Sequence, residues 1–280
     1  FRMNHSTPSS SGTGEGIYGA SLSYYENTGT AESPVFEKRT GVTHPLADAI
    51  AKVTEIGSGA AYPVLFDLDA DGDLDLVVGG EFAYLTQSQE LVEQNAIYLR
   101  NDGPSPTQPD LTYVDAAENP FADLDPQRTN LQLDISDLDG DGEPEILEVG
   151  SNWGSDITFY ENSGTQQSPV LGVAASNPFP VPPGGGQLLD GYVRLSTVDA
   201  DGDQDLDTVV GVSPDGDSFL QFFRNTGTPS SPAFVEETGA NNPFDAVNQN
   251  ANLKSLYRPF PVFADIDSDG DLDLFVAGQE

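Results

Sequence analysis

The chain has 280 residues with hydrophobic content of 37%, enough to bury a core, and its 29 glycines and 21 prolines point to many turns. Its net charge of −36 makes nucleic acid and anionic membrane poor partners, and no apolar run is long enough for a helical membrane span. With 0 cysteines there is no disulfide, no thiolate zinc site and no cysteine nucleophile.

Phe1-Arg2-Met3 shows neither an initiator methionine nor a leader, which reads as a processed or excised piece. Asn4-His5-Ser6 is a glycosylation sequon. Residues 1–16, rich in Ser, Thr and Gly, read as a flexible linker.

Four signals then recur in order through residues 17–280. An aromatic pair runs into an Asn-x-Gly turn: YYENTGT at Tyr24, YLRNDGP at Tyr98, FYENSGT at Phe159 and FFRNTGT at Phe222. A short apolar element follows, at Ser33, Leu111, Ser168 and Ser231. Next comes His44-Pro45-Leu46, then Asn-Pro-Phe at Asn119, Asn177 and Asn242. The fourth signal is an acidic loop: DLDADGDLD at Asp67, DLDGDGEPE at Asp137, DADGDQDLD at Asp199 and DIDSDGDLD at Asp265. The loops start 70, 62 and 66 residues apart, so the period is about 66 residues.

Each period predicts four strands. One enters the acidic loop, as in Val64-Leu65-Phe66. One leaves it, as in Leu76-Val77-Val78, Ile146-Leu147, Thr208-Val209-Val210 and Leu274-Phe275-Val276. These runs are short, apolar and bounded by glycine or acidic residues, as in buried strands. The third strand carries the aromatic pair. It ends in a hairpin where Asn tolerates unusual backbone angles and Gly takes the left-handed position. The fourth is the Pro-Val-Phe element. The expected fold is all-β, a β-propeller of about four four-stranded antiparallel blades with a calcium loop in each. The first and last half-blades either complete one blade together or pair with neighbouring repeats of a longer array.

The loops hold 20 of the 46 acidic residues, and such crowding calls for a cation. Ca²⁺ takes six to eight oxygens. Positions 1, 3 and 5 aim side chains inward, position 6 turns sharply, position 7 offers its carbonyl and position 9 closes the shell. The candidate ligands are Asp67, Asp69, Asp71, Asp73 and Asp75; Asp137, Asp139, Asp141, Glu143 and Glu145; Asp199, Asp201, Asp203, Asp205 and Asp207; and Asp265, Asp267, Asp269, Asp271 and Asp273. About four Ca²⁺ would bring the charge from −36 to −28. The third loop has two registers. Its exit strand puts Asp199 first and Gln204 at the turn; aligning Gly202 with the other glycines puts Thr197 first. An EF-hand is excluded by the strand-like flanks and by Val78, Val210 and Val276 at position 12, where only the second loop has an acid, Glu148.

These loops, with the NTGT and SPxF segments beside them, resemble the FG-GAP and VCBS-type repeats of integrin alpha subunits and of many surface proteins. The VCBS-type pattern fits better, because the FG and GAP tripeptides are not plainly present. The resemblance implies a calcium-binding propeller, an extracellular setting and a non-catalytic role in adhesion or assembly. It implies as partners an extracellular protein or glycan, or copies of the same chain, without nucleic acid or membrane insertion. The alternatives are a lectin or polysaccharide-processing enzyme on this scaffold, or a filament subunit.

Signs of catalysis are sparse. Among the 2 histidines, His5 lies in the tail and His44 reads as a turn residue. No serine has a nucleophile-elbow setting. Glu81, Glu90 and Glu93, in a segment read as a solvated loop or short helix, are candidates for paired-carboxylate chemistry. Trp153 could stack on a sugar or cap a blade. Residues 180–186, rich in Pro and Gly, read as a connector.

Overall fold

The computed structural model describes residues 22–30, 33–40, 44, 46–85, 91–104, 109–122, 124, 131–150, 157–165, 168–180, 193–213, 217–228, 231–267 and 269–279. The N-terminal segment with its sequon, Glu90, Trp153 and residues 181–186 lie outside these, as do the side chains of Glu81 and Glu93. The chain divides into two compact units, 1–131 and 132–280. Among the described residues no helix is long and apolar enough to cross a membrane.

The architecture is all-β, built from antiparallel meanders. The first unit opens with a two-stranded hairpin, β1 (Tyr24–Asn27) and β2 (Phe36–Arg39). A four-stranded sheet follows: β3 (Gly57–Phe66), β4 (Asp75–Leu85), β5 (Leu91–Asn101) and β6 (Leu111–Tyr113). The second unit holds two more four-stranded sheets. One is β7 (Gln132–Ser136), β8 (Glu145–Val149), β9 (Thr158–Asn162) and β10 (Leu171–Val173). The other is β11 (Arg194–Val198), β12 (Asp207–Val212), β13 (Phe219–Asn225) and β14 (Phe234–Glu237). It closes with the hairpin of β15 (Tyr257–Ala264) and β16 (Asp273–Gln279). The expected strands before and after each acidic loop are therefore present.

Two features depart from the expectations. The segment from Glu81 to Asn95 is neither loop nor helix along its described backbone; it lengthens the β4–β5 hairpin, pairing Phe82 with Gln94 and Leu85 with Leu91. A helix, α1 (Ala47–Ile56), also stands between β2 and β3. Its buried Ala49 and Val53 are one turn apart and pack with Leu76, Val78, Ile97 and Leu99.

The Asn-x-Gly turns follow one mechanism. Asn225 Oδ1 accepts from the N–H groups of Gly227 and Ala233, each at 3.1 Å. Asn27, Asn101 and Asn162 grip their own turns in the same way. The expected left-handed glycine is not found at Gly29, Gly164 or Gly227. Close approach requires the glycine instead: a Cβ on Gly227 would lie 2.2 Å from the Ser231 carbonyl oxygen, and Gly29 and Gly164 are equally tight.

The later asparagine has its own recurrent job. Asn119, Asn177 and Asn242 donate to the carbonyls of Ala96, Ile157 and Leu220 and accept from the N–H two residues on. That locks the following Phe121, Phe179 and Phe244 into the core. His44 holds the corresponding turn through its carbonyl, which accepts from Ala47 N–H at 3.0 Å.

Within the second unit the first strands of successive sheets lie side by side. Gln132 bonds both N–H and carbonyl of Leu195, and Ser196 Oγ donates to the Pro261 carbonyl at 2.7 Å. Apolar side chains fill the space between sheets, with Phe179 stacked on Phe234 at 4.2 Å between ring centroids.

Asp134 on β7 accepts from Thr197 N–H at 3.1 Å and Thr197 Oγ1 at 2.9 Å. It keeps some accessible surface yet is enclosed by protein atoms, and this burial raises its pKa despite the hydrogen bonds from Thr197 and Ser136. A carboxyl raised in the folded state stabilises most below its unfolded pKa of about 3.9, and that contribution is lost as pH rises through the folded value. Asp134→Asn keeps the shape without the charge. Its unfolding free energy in urea should match the parent near pH 4 and exceed it increasingly toward neutral pH.

Candidate metal centres in the four acidic loops

The acidic loops join β3 to β4, β7 to β8, β11 to β12 and β15 to β16. Local hydrogen bonding builds all four alike. The carboxylate at position 1 accepts from the N–H at position 6: Gly72 to Asp67, Gly142 to Asp137 and Gln204 to Asp199 at 3.1 Å, Gly270 to Asp265 at 3.0 Å. The carboxylate at position 5 accepts from the N–H at position 7, at 2.9 Å for Asp71, 2.8 Å for Asp141, 3.0 Å for Asp203 and 2.9 Å for Asp269. The carboxylate at position 9 accepts from the N–H at position 2 in every copy.

This pattern decides the register of the third loop. Asp199 stands first and Gln204 occupies the turn, with φ +77° against +95°, +93° and +95° for Gly72, Gly142 and Gly270. The ambiguity arose because position 4 is left-handed too. Ala70, Gly140 and Gly202 have φ of +57°, +69° and +80° there. Gly202 serves this earlier bend, and Gln204 takes the strained one.

The loops bring carboxylates together in threes. Ligand oxygens of Asp67, Asp69 and Asp71 lie within 4.8 Å of one another, as do those of Asp199, Asp201 and Asp203, and those of Asp265, Asp267 and Asp269. In the second loop the set is Asp137, Asp139 and Glu145, the longer Glu145 reaching in where Asp141 does not. Two oxygens across one Ca²⁺ stand about 4.6–5.2 Å apart, so these spacings match its size. The buried Asp69 Oδ1, Asp137 Oδ1 and Glu143 Oε2 lack a hydrogen-bond partner. Acceptors of that kind suit a cation, which supplies what no donor does.

The remaining expected ligands fall outside these threes. They are Asp73, Glu143, Asp205 and Asp271 at position 7, Asp141 at position 5, and Asp75, Asp207 and Asp273 at position 9. Position 9 ties strands together in the first and third complete sheets. Asp75 accepts from Leu68 N–H at 3.1 Å, Asn101 N–H at 2.7 Å and the Tyr98 hydroxyl at 2.9 Å. Asp207 repeats this with Ala200 N–H at 3.1 Å and Asn225 N–H at 2.8 Å. Sequence reasoning had given Asn101 and Asn225 a turn role only. The asparagines stand 26 and 18 residues after Asp75 and Asp207, so no constant spacing signals the pairing in the sequence.

The electrostatics are those of acids held against their preference. Burial pushes Glu145 up to about 8 and Asp207 up to about 6, with backbone N–H donors pulling back and neighbouring loop carboxylates adding to the rise. Asp69 and Asp139 are raised by burial and by the carboxylates beside them. A divalent cation would reverse both causes.

Gln204 is the weak point of the third loop, since a side chain in the left-handed region costs about 1–2 kcal/mol. Gln204→Gly should stabilise the protein by about 1 kcal/mol in chemical denaturation, whereas Gly72→Ala, at the same place in the first loop, should destabilise it. Loss of stability in Gln204→Gly would contradict the register.

No family model matches the chain, and no curated protein matches it. Among solved structures it is similar to an Agrocybe aegerita lectin described as recognising non-reducing terminal N-acetylglucosamine. The identity is 15% and the TM-score 0.46, over 92% of this chain and 56% of that one. The chain thus spans little more than half the length of that lectin.

Proposed function

We propose that the protein is a non-catalytic, extracellular repeat module of the VCBS type, with propeller blades stapled by Ca²⁺ and a role in adhesion or assembly. The carrying observation is the fourfold recurrence of one hydrogen-bonded acidic loop with oxygens gathered within 4.8 Å. The residues that would hold the ion are Asp67, Asp69 and Asp71; Asp137, Asp139 and Glu145; Asp199, Asp201 and Asp203; and Asp265, Asp267 and Asp269. When bound, Ca²⁺ supplies positive charge where each loop has crowded carboxylates. The protein's part is to pin the two strands flanking each loop and to present the blade surfaces. Modest affinity, with Kd of about 10⁻⁴–10⁻³ M, is enough in a calcium-rich extracellular medium.

Elemental analysis after equilibration in millimolar calcium should find about four ions per chain. Asp69→Ala and Asp267→Ala should each remove one. Excess chelator should lower the melting temperature, because binding to the folded state stabilises by mass action. A metal-free protein, or a melt indifferent to chelator, would overturn the reading.

A second reading, glycan binding, is favoured by one cavity of about 430 Å³ beside the third loop. It is lined by Phe222, Arg224, Asp201 and Glu237, with Arg224 reaching Glu237 at 3.3 Å and Asp201 at 3.8 Å. The charged hydrogen-bonding groups of Arg224, Asp201 and Glu237 suit sugar hydroxyls, and the volume suits one or two rings. Glycan-array binding abolished by Arg224→Ala would support it; an array without signal would dismiss it.

A further inference from the structure

The strand beside each acidic loop carries a different charge from copy to copy. In the three four-stranded sheets the tenth loop residue faces the residue two places before the turn asparagine. Leu76 faces Leu99, Ile146 faces Tyr160 and Thr208 faces Phe223. The residue between therefore occupies one register position alongside the loop each time. It is Arg100 on β5, Glu161 on β9 and Arg224 on β13.

The two arginines act on the carboxylate at position 3. Arg224 Nη1 lies 3.8 Å from Asp201 Oδ2, and its Nη2 lies 3.3 Å from Glu237 Oε1 on β14. The contact with Asp201 is an ion pair beyond hydrogen-bond length, and the buried Arg224 Nε has no hydrogen-bond partner. A guanidinium held this loosely can be displaced. Arg100 is gripped instead by Asp102, at 2.8 and 3.1 Å. Burial and the charge of Asp71 raise the pKa of Asp69, and the charge of Arg100 pulls it back. In the second sheet the exposed Glu161 brings a negative charge to the same place.

We propose that Arg224 and Arg100 are built-in competitors of the cation and rank three of the loops. The second binds calcium most tightly, the first less tightly and the third most weakly. A cation gathered by Asp199, Asp201 and Asp203 must break the pair with Arg224 and bear a positive neighbour. At the first loop Asp102 diverts part of that opposition. At the second loop the flanking Glu161 attracts the cation. The hairpin of β11 and β12 therefore responds to calcium over a range in which the hairpin of β7 and β8 is already loaded. This grading rests on the calcium reading above and specifies how binding at those sites is regulated.

The test is a calcium titration of the full-length chain against a chromophoric chelator. Arg224→Gln should tighten the weakest binding constant about three- to tenfold, and Arg100→Gln should tighten another by less. Glu161→Arg should weaken the tightest constant by about three- to tenfold. In an Asp201→Ala background, where the third set of carboxylates is broken, the gain from Arg224→Gln should vanish. High salt should shrink it, which a purely structural effect of the substitution would not show. Unchanged constants in Arg224→Gln, a gain that persists beside Asp201→Ala, or a Glu161→Arg variant that binds like the parent would overturn the ranking while calcium binding stood. No calcium uptake by the parent or any variant would overturn the calcium reading, and this inference with it.

Discussion

The carboxylate at the ninth place of the acidic loop is the joint on which the first and third complete sheets depend. In the first such sheet Asp75 holds three elements at once: the loop start through Leu68 N–H, the end of β5 through Asn101 N–H, and the Tyr98 ring through its hydroxyl. Asp207 does the same work between its loop and β13. Losing this acid would leave N–H groups with no acceptor, and each unsatisfied buried donor costs about 1–3 kcal/mol. The joint also sets the register of the third strand, because the asparagine that meets it grips the next turn through its own side chain.

That joint sits beside a concentration of negative charge, and the two facts are linked. The hydrogen bonds that shape the loop accompany a gathering of the carboxylates at positions 1, 3 and 5, or 1, 3 and 9 in the second loop. Burial then adds a desolvation cost, which is why Asp69 and Asp139 favour protonation more than free carboxyls do. A fold that accepts this cost in two loops and gathers carboxylates in all four is suited to a cation. Solvation alone would favour splaying the acids outward.

Differences between copies follow from packing. The aromatic strands of the complete sheets are buried against the exit strands, and in the second unit Phe179 and Phe244 fill the gap to the next element. The hairpins β1–β2 and β15–β16 have the same sequence signals without the same cover. Their apolar faces meet solvent at Phe36, Val262 and Phe275. Identical local chemistry thus yields a buried joint at Asp207 and an exposed one at Asp273, depending only on whether an aromatic strand stands alongside.

The repeat, the strands flanking each loop and the acidic positions 1, 3 and 5 were legible in the chain because they are local. Alternating acids, a period of about 66 residues and short apolar runs all act within one hairpin. Tertiary structure decided the rest. Gly202 left the third register open because two left-handed positions exist in each of the first three loops, and only the closed hydrogen-bond pattern tells position 4 from position 6. Glu145 replaced Asp141 in the second cluster because side-chain reach matters once the loop is folded. Asn101 and Asn225 gained their second role by meeting acids 26 and 18 residues earlier in the chain. Sequence by itself determined which hairpins form and where charge collects. Only the packing of strand against strand, a contact between distant residues, decided which carboxylates are buried braces and which remain available to a cation.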